Sequence, residues 1–415
     1  MKRRIASWEN GHSTPDEFYG GLLATALGRS PAELGLAMES DGQQPLSPGY
    51  PASPEAAVTT VEQLWRADLR DYESLMDSEP SEPAWDEASV RWLVAPEPAP
   101  MPSQGGAGPR VGLADVATVK TTSDMFAQLD DRFGGEHARH ALIQYLSRHV
   151  ATLLAGQYTE SVGRALLATV AESTLLAAWM SYDSGHHGLA QRYFIQALRL
   201  AQDGGDRRLA GSILSAMSHQ ATFLGRFDHA ATLARAARMG ISGVATPTLN
   251  AQFHAMEARA LARTGDNRAC ELALSEATRA LDGRNSGDEP EWITYFDDAE
   301  CAAEAAHCFR DVDHARRAVE HAENAMSGTH VRSDFFATVV LADAHVRAGD
   351  LEEGCRVALD ALDLGAQLKS ARCVSYLAEF RQRLVAVGQS SVLDDFQEQA
   401  GEHRMWLAAE HRAER

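Results

Sequence analysis

The sequence predicts an all-α protein whose main part is a helical-repeat solenoid. From about residue 113 to the end, the 415-residue chain is rich in alanine and leucine, almost free of proline and poor in β-branched runs. Glycines recur in that part at a fixed spacing, and two stretches rich in proline and glycine precede it. Amphipathic stretches of this composition form helices, and a fixed period indicates stacked structural units.

The period is carried by Gly185, Gly225 and Gly265, which are 40 residues apart. Small residues recur seven positions before each glycine and five and twelve positions after it. They are Ala178, Ser218 and Ala258 before the glycine, and Ala190, Ala197, Ala230, Ala237, Cys270 and Ala277 after it. Two further turns are predicted, at Arg310 and Gly349. Small residues let antiparallel helices approach closely, and each hairpin leaves an apolar face for the next to cover.

This spacing predicts a tetratricopeptide-like repeat domain over 111–415, although its period exceeds the usual value of about 34 residues. Upstream, Thr14 and Glu17 flank Pro15 as a helix start, and residues 1–36 are predicted to form three short helices. The boundaries place a partial helix-turn-helix at 1–38, a flexible linker at 39–57, a helical segment at 58–94 and a second linker at 95–110.

Charge and cysteine content restrict the functional classes. The formal net charge is -20, and the basic cluster of Lys2, Arg3 and Arg4 lies at the extreme N-terminus, within a segment of zero net charge over 1–36. Such acidity repels phosphate backbones, so nucleic-acid contact is expected only at that end. Five cysteines without a CxxC pair and the lack of a long apolar run predict a cytoplasmic protein without membrane association.

The motifs that carry catalysis are missing from the sequence. No phosphate loop, nucleophile elbow or HExxH motif occurs. Candidate metal ligands such as His137 with His140, or Cys301 with Cys308, lack a complete set. We therefore expect no enzyme activity, no metal and no cofactor.

The remaining candidate site is the inner wall of the solenoid, which the first helix of each pair is expected to line. Residues three and six positions before each turn are taken as inward facing, together with neighbouring charges. The candidate groove for a ligand or peptide comprises Trp179, Tyr182, His219, Thr222, Arg259, Arg263, Asp297, Glu300, Glu304, His307 and Asp343. Arg259 and Arg263 are expected to hold a carboxylate, and Asp297, Glu300 and Glu304 form an acidic end.

Two parts of the chain resemble a known family. The turn Trp8-Glu9-Asn10-Gly11 and the helix start at Pro15 resemble the C-terminal half of an XRE-type, lambda-repressor-like helix-turn-helix. Stretches such as SHQATFLGRFDHA and LADAHVRAGDLEEGC resemble tetratricopeptide transcriptional regulators of Streptomyces and related actinobacteria, which include negative regulators of sporulation and antibiotic production. The resemblance implies a transcriptional regulator whose repeat domain binds a peptide, protein or small signal.

The first helices of the XRE module are missing from the sequence. Lys2, Arg3, Arg4 and Ser7 are what the remnant offers to DNA, and DNA binding is expected only if the N-terminus is completed. The alternative is an adaptor that regulates through protein partners without touching DNA. A homodimer is possible, and the segment 58–94 is expected either to dimerise or to pack back on the repeat.

Overall fold

The computed structural model describes residues 47–70, 73–95, 108–285 and 287–413, and these residues form an all-α architecture. Within them the only extended pairing is an isolated bridge between Arg110 and Gln157. The predicted helix-turn-helix remnant at 1–38, including Lys2, Arg3, Arg4 and Ser7, lies outside the described residues.

Three helices precede the repeat: α1 (Pro54–Asp68), α2 (Glu73–Met76) and α3 (Glu82–Val94). The prediction of a linker up to residue 57 is wrong at its end. Ser53 caps α1 through its side chain, and Pro54 occupies the first turn. Tyr50, four residues earlier, is buried and its hydroxyl is bonded to Gln202.

The segment 58–94 packs back on the repeat domain. Trp65, Trp85 and Trp92 are each at most 1% exposed. The aromatic ring of Trp92 lies over Gly240, and the Arg207 guanidinium lies over the same ring at 5.1 Å from its centroid. The apolar face read from the sequence is therefore covered by helices of the same chain.

The rest of the described chain forms consecutive helices. Their bounds are α4 (Leu113–Phe133), α5 (Gly135–Tyr145), a π-helical turn (Leu146–Val150), α6 (Ala151–Leu154), α7 (Glu160–Asp183), α8 (His187–Gly204), α9 (Arg207–Phe223), α10 (Phe227–Gly240), α11 (Pro247–Thr264), α12 (Asn267–Asp282), a 3₁₀ turn (Glu291–Ile293), α13 (Asp298–Asp311), α14 (Ala315–Glu323), α15 (Val331–Ala348), α16 (Leu351–Leu364), a 3₁₀ turn (Gly365–Gln367), α17 (Ala371–Val387), α18 (Ser391–Ala400) and α19 (Arg404–Ala413). From α7 to α16 most helices pack mainly on their neighbours in sequence, as in helical-repeat proteins.

The predicted turn glycines have the left-handed backbone that the reversal requires. Gly185, Gly225, Gly265 and Gly349 have φ values of 88°, 75°, 81° and 90°. The small residues predicted to allow close helix approach, from Ala178 to Ala277, are buried. The pairs α7/α8, α9/α10, α11/α12 and α15/α16 thus repeat one local geometry.

The spacing of the internal repeats predicted the fourth turn at Arg310, but the turn lies elsewhere. Arg310 is 4% exposed inside α13, and the left-handed position is Asp313, with φ of 62°. Counting from Asp313, the residues seven before and five after are Ala306 and Ala318, both fully packed at 1% and 0% exposure. The pattern is therefore regular, and the alignment missed it because aspartate replaces the turn glycine.

The C-terminal helices contact the first helices of the repeat. Helix α15 packs against α4, and α17 packs against α7. The Lys369 main-chain N–H donates to the Phe133 carbonyl oxygen at 2.7 Å, and the Ser370 hydroxyl donates to the Asp183 carboxylate at 2.8 Å. Through these contacts the first helices of successive pairs surround a common interior.

Helix α7 is the one described helix with the length and apolar composition of a membrane span. Its most apolar window is 67% buried within the protein. It also contains the buried polar residues Ser173, Thr174 and Asp183. Neighbouring helices of this chain thus cover most of its surface, which is typical of a core helix.

Candidate ligand-binding cavity

A cavity of about 450 Å³ lies among the first helices of the pairs. Helices α4, α7, α9, α11, α13, α15 and α17 line it, together with residues 292–296, whereas the second helices α8, α10, α12, α14 and α16 contribute nothing. This volume lies in the range of pockets that hold small organic ligands.

Apolar and aromatic side chains form much of the cavity wall. They are Leu175, Leu176, Trp179, Leu209, Met256, Trp292, Tyr295, Phe296, Phe336 and Tyr376. The Tyr295 hydroxyl accepts a hydrogen bond from the Gln252 amide at 2.6 Å, which fixes the loop before α13 against α11. Lys120 and the exposed His330 lie at the rim.

A buried ion pair and two histidines form the inner end of the cavity. Arg259 donates to the Glu304 carboxylate, and both side chains are 8% exposed. The His307 ring is 5.5 Å from the Tyr376 ring, and its Nδ1 has no hydrogen-bond partner. Burial, with the nearby arginines adding to it, lowers the pKa of His219 and His307 well below the usual value, so both rings are neutral.

Arg372 lies beside this inner end with weak ion pairing. Its guanidinium carbon is 4.6 Å from the ring centroids of both Tyr182 and Phe336. Its nearest carboxylate is Asp183 at 3.9 Å, and its Nε has no partner. Asp183 also faces Arg332 at 3.7 Å, so one carboxylate serves two guanidinium groups.

Two carboxyl groups in the lining have no partner of their own. Neither Glu172 nor Glu300 forms a hydrogen bond or an ion pair through its carboxylate with any residue the structure describes. Burial raises the pKa of Glu172 to about 7. Burial, reinforced by Glu304 and Asp297, raises the pKa of Glu300 to about 8. Both groups therefore carry a proton in part at neutral pH.

The cavity brings together six of the predicted groove residues: Trp179, His219, Arg259, Glu300, Glu304 and His307. Tyr182 is buried behind the wall, where its hydroxyl lies 3.1 Å from His219 Nδ1. Thr222 is also buried, and its hydroxyl donates to the Ser218 carbonyl at 3.0 Å within α9. The sequence predicted that Arg259 would be free to bind a ligand carboxylate. In the structure it is paired with Glu304 instead.

Three other predicted groove residues lie away from the cavity. Arg263 lines a separate depression, where it lies 3.7 Å from Asp311. Asp297 caps α13 by accepting the Glu300 main-chain N–H at 3.0 Å. Asp343 is 1% exposed and pairs with arginines, of which Arg310 lies at 3.6 Å. Arg263 therefore does not join Arg259 in the cavity lining, and Asp297 lies outside the lining although its charge still acts on Glu300.

The residues that line the cavity lie closer to the start of each first helix than the sequence predicted. Positions thirteen before the turn all line the cavity: Glu172, Ser212, Gln252, Glu300 and Phe336. Positions three before the turn lie beyond its inner end. Residues seven positions, or two helical turns, before the predicted inward-facing position six lie on the same helix face. Including them would have predicted these five lining residues.

Sequence reasoning missed the residues contributed by α4 and α17. Lys120 and Asp130 come from α4, and Arg372 and Tyr376 come from α17. Neither helix belongs to the five aligned pairs, so the period carries no signal for them. Arg332 was missed as well, because it lies near the start of α15, whereas the repeat positions considered on that helix lie near its end.

Among the described residues, no group of three or more histidine, cysteine, aspartate or glutamate side chains is placed to hold a metal ion. Comparison with known proteins gives no further guide to function. No protein-family model, curated protein or solved structure matches the chain.

Proposed function

We propose that this chain is a regulator whose tetratricopeptide-like domain binds a small signal in the cavity and controls a helix-turn-helix module, to whose C-terminal half residues 1–38 are similar. The cavity is the observation that supports the proposal. It is walled by aromatic rings and carries buried polar atoms without partners, namely Asp130 Oδ1, Arg259 Nε, His307 Nδ1 and Arg372 Nε. Such atoms are costly unless a ligand or ordered water satisfies them.

The shape of the site favours a small ligand over a folded protein partner. The contacts of α15 with α4 and of α17 with α7 close the inner face, so an extended groove is not offered. A ligand that fills the interior touches several first helices at once. Its binding therefore stabilises one arrangement of the helices, and a conformational signal of this kind can reach an attached DNA-binding module.

The ligand-binding part of the proposal is tested with the full chain. The protein is incubated with a small-molecule extract of the producing cells, freed of unbound material and analysed by mass spectrometry after denaturation. A compound retained by the wild type and lost in Ala303→Trp, which fills the cavity, is expected. Leu272→Trp, on the exposed outer face of α12, is the control that should retain it. Equal retention by all three proteins contradicts the proposal.

The regulatory part is tested on DNA. A longer chain that includes the residues encoded upstream is expected to shift promoter DNA in a ligand-dependent manner, whereas 1–415 alone does not. If the longer chain shifts no promoter DNA, the transcription-factor role is excluded. The adaptor alternative then remains, and the zero net charge of residues 1–36 favours it. That alternative predicts a defined protein partner, recovered from extract by the full chain.

A further inference from the structure

The charges around the cavity can be paired off almost completely. Arg332 lies 2.7 Å from Asp130, Lys120 lies 3.5 Å from Asp124, and His330 lies 3.3 Å from Asp131. In each of these three pairs the carboxylate belongs to α4, so these acidic side chains of that helix are already paired with cations.

The remaining cations are paired at the inner end. Arg259 pairs with Glu304, and Arg372 faces Asp183 and two aromatic rings. Every guanidinium group in the lining therefore has a carboxylate within 4 Å, and none is left to attract an anion from solution. Two acids, Glu172 and Glu300, have no cation within ion-pair distance, although Lys120 acts on Glu172, and Arg259 and Arg372 act on Glu300, from further away.

Glu172 and Glu300 differ from exposed carboxylates in being enclosed. Both side chains are partly buried and line the cavity, so a charge on either is poorly solvated. A desolvated carboxylate without a partner takes up a proton, and a cation placed beside it would stabilise the ionised form instead. The raised pKa of each group has this cause.

A further buried acceptor also lacks a donor. Asp130 is 3% exposed and lines the cavity, and its Oδ1 has no hydrogen-bond partner although its other oxygen faces Arg332. Aromatic rings that can contact an organic cation line the same cavity. Tyr295 and Phe296 directly precede the helix that carries Glu300.

From these observations we propose that the cavity binds a small organic ammonium ion, with Glu300 as its principal counter-ion, Glu172 as a second acidic contact, and the aromatic wall against its apolar body. The inference rests on the proposed ligand-binding function and specifies the class of ligand. The spare N–H of Arg372 suits an uncharged acceptor elsewhere on the same molecule, and a hydroxyl suits His307 Nδ1 in either tautomer because it can donate or accept.

The test uses sets of probe compounds that share one apolar group and differ in charge. One set is tryptamine, tryptophol and indole-3-acetate, and a second set is octylamine, octanol and octanoate. Their binding to the full chain is measured by titration calorimetry. The amine of each set is expected to bind at least about tenfold more tightly than its neutral or anionic counterpart, because only the amine pairs with the free carboxylates.

Proton linkage gives a second readout that a merely apolar pocket would not produce. The unliganded carboxyls hold protons near neutral pH and the bound ammonium ion favours their ionised form, so binding releases protons. The affinity for the amine should therefore rise between about pH 6 and about pH 8, where the amine itself stays protonated. The calorimetric heat should depend on the ionisation enthalpy of the buffer.

Matched variants locate the effect. Glu300→Gln keeps the shape of the side chain and is expected to remove at least about tenfold of the amine's advantage and most of the proton release. Glu352→Gln makes the same change on the exposed side of α16 and should change neither. Equal binding of amine and neutral probes, or an unchanged Glu300→Gln, overturns this inference alone. If no probe of any charge binds, the inference is overturned, and the extract experiment decides the proposed function separately.

Discussion

At the scale of single residues, Asp183 joins several of the helices that surround the cavity. It is completely buried, accepts the Gly135 main-chain N–H at 2.9 Å and the Ser370 hydroxyl at 2.8 Å, and faces the guanidinium groups of Arg332 and Arg372. One carboxylate at the end of α7 thereby joins α5, α15 and α17. A buried charge with several donors is costly to remove, because each donor is then left without its acceptor.

Asp183→Asn should therefore lower the free energy of unfolding by about 3 to 5 kcal/mol, since the variant leaves buried cations without their counter-charge. Urea denaturation followed by circular dichroism measures the change. Asp228→Asn, on the exposed face of α10, is the matched control and should stay within about 0.5 kcal/mol of the wild type. A loss at Asp183 no larger than the control's would show that these contacts contribute little.

At the scale of helices, the docking of α3 on α10 depends on the absence of a side chain at Gly240. A Cβ built there would lie 2.0 Å from a carbon of the Trp92 ring, and the Arg207 side chain donates to the Gly240 carbonyl at 2.5 Å. The close approach explains why Trp92 is buried and why the N-terminal segment covers the outer face of the repeat.

Gly240→Ala is expected to destabilise the chain by about 1 to 3 kcal/mol, because the added methyl group overlaps the indole ring and forces α3 outward. Limited proteolysis within α3 and urea denaturation together report the release of α3. Gly243→Ala adds the same methyl where nothing lies within 4 Å and should be nearly neutral. Similar behaviour of the two variants would contradict the packing described for α3.

The helices and their pairing could be predicted from local sequence signals. Gly185 and its equivalents mark the turns, and small residues mark the contacts inside each pair, since both requirements act within one hairpin. The fourth turn escaped because Asp313 takes the left-handed conformation that glycine usually supplies. The cap at Ser53 was within reach of the same reasoning and gives the true start of α1.

At the scale of the whole molecule, the central feature is the contact between the two ends of the helical array. Within the candidate site, Trp179 and His307 could be predicted because they lie on aligned helices. Arg372 and Lys120 could not, since they reach the cavity through pairings of α17 with α7 and α15 with α4 that span some 200 residues of sequence, as from Asp183 to Ser370. No local pattern encodes such a closure.

The closure is tested most directly by a disulfide across it. The main-chain bond between Lys369 and Phe133 places their backbones side by side, and a disulfide joins residues whose Cα atoms are about 4.4 to 6.8 Å apart. In a glutathione redox buffer, Phe133→Cys/Lys369→Cys should cross-link nearly completely, as seen by non-reducing mass analysis. The pair Met125→Cys/Lys369→Cys, displaced by about 12 Å along α4, should not. Failure of the first pair to cross-link, or equal cross-linking of both, would contradict an interior enclosed by the two ends of the array.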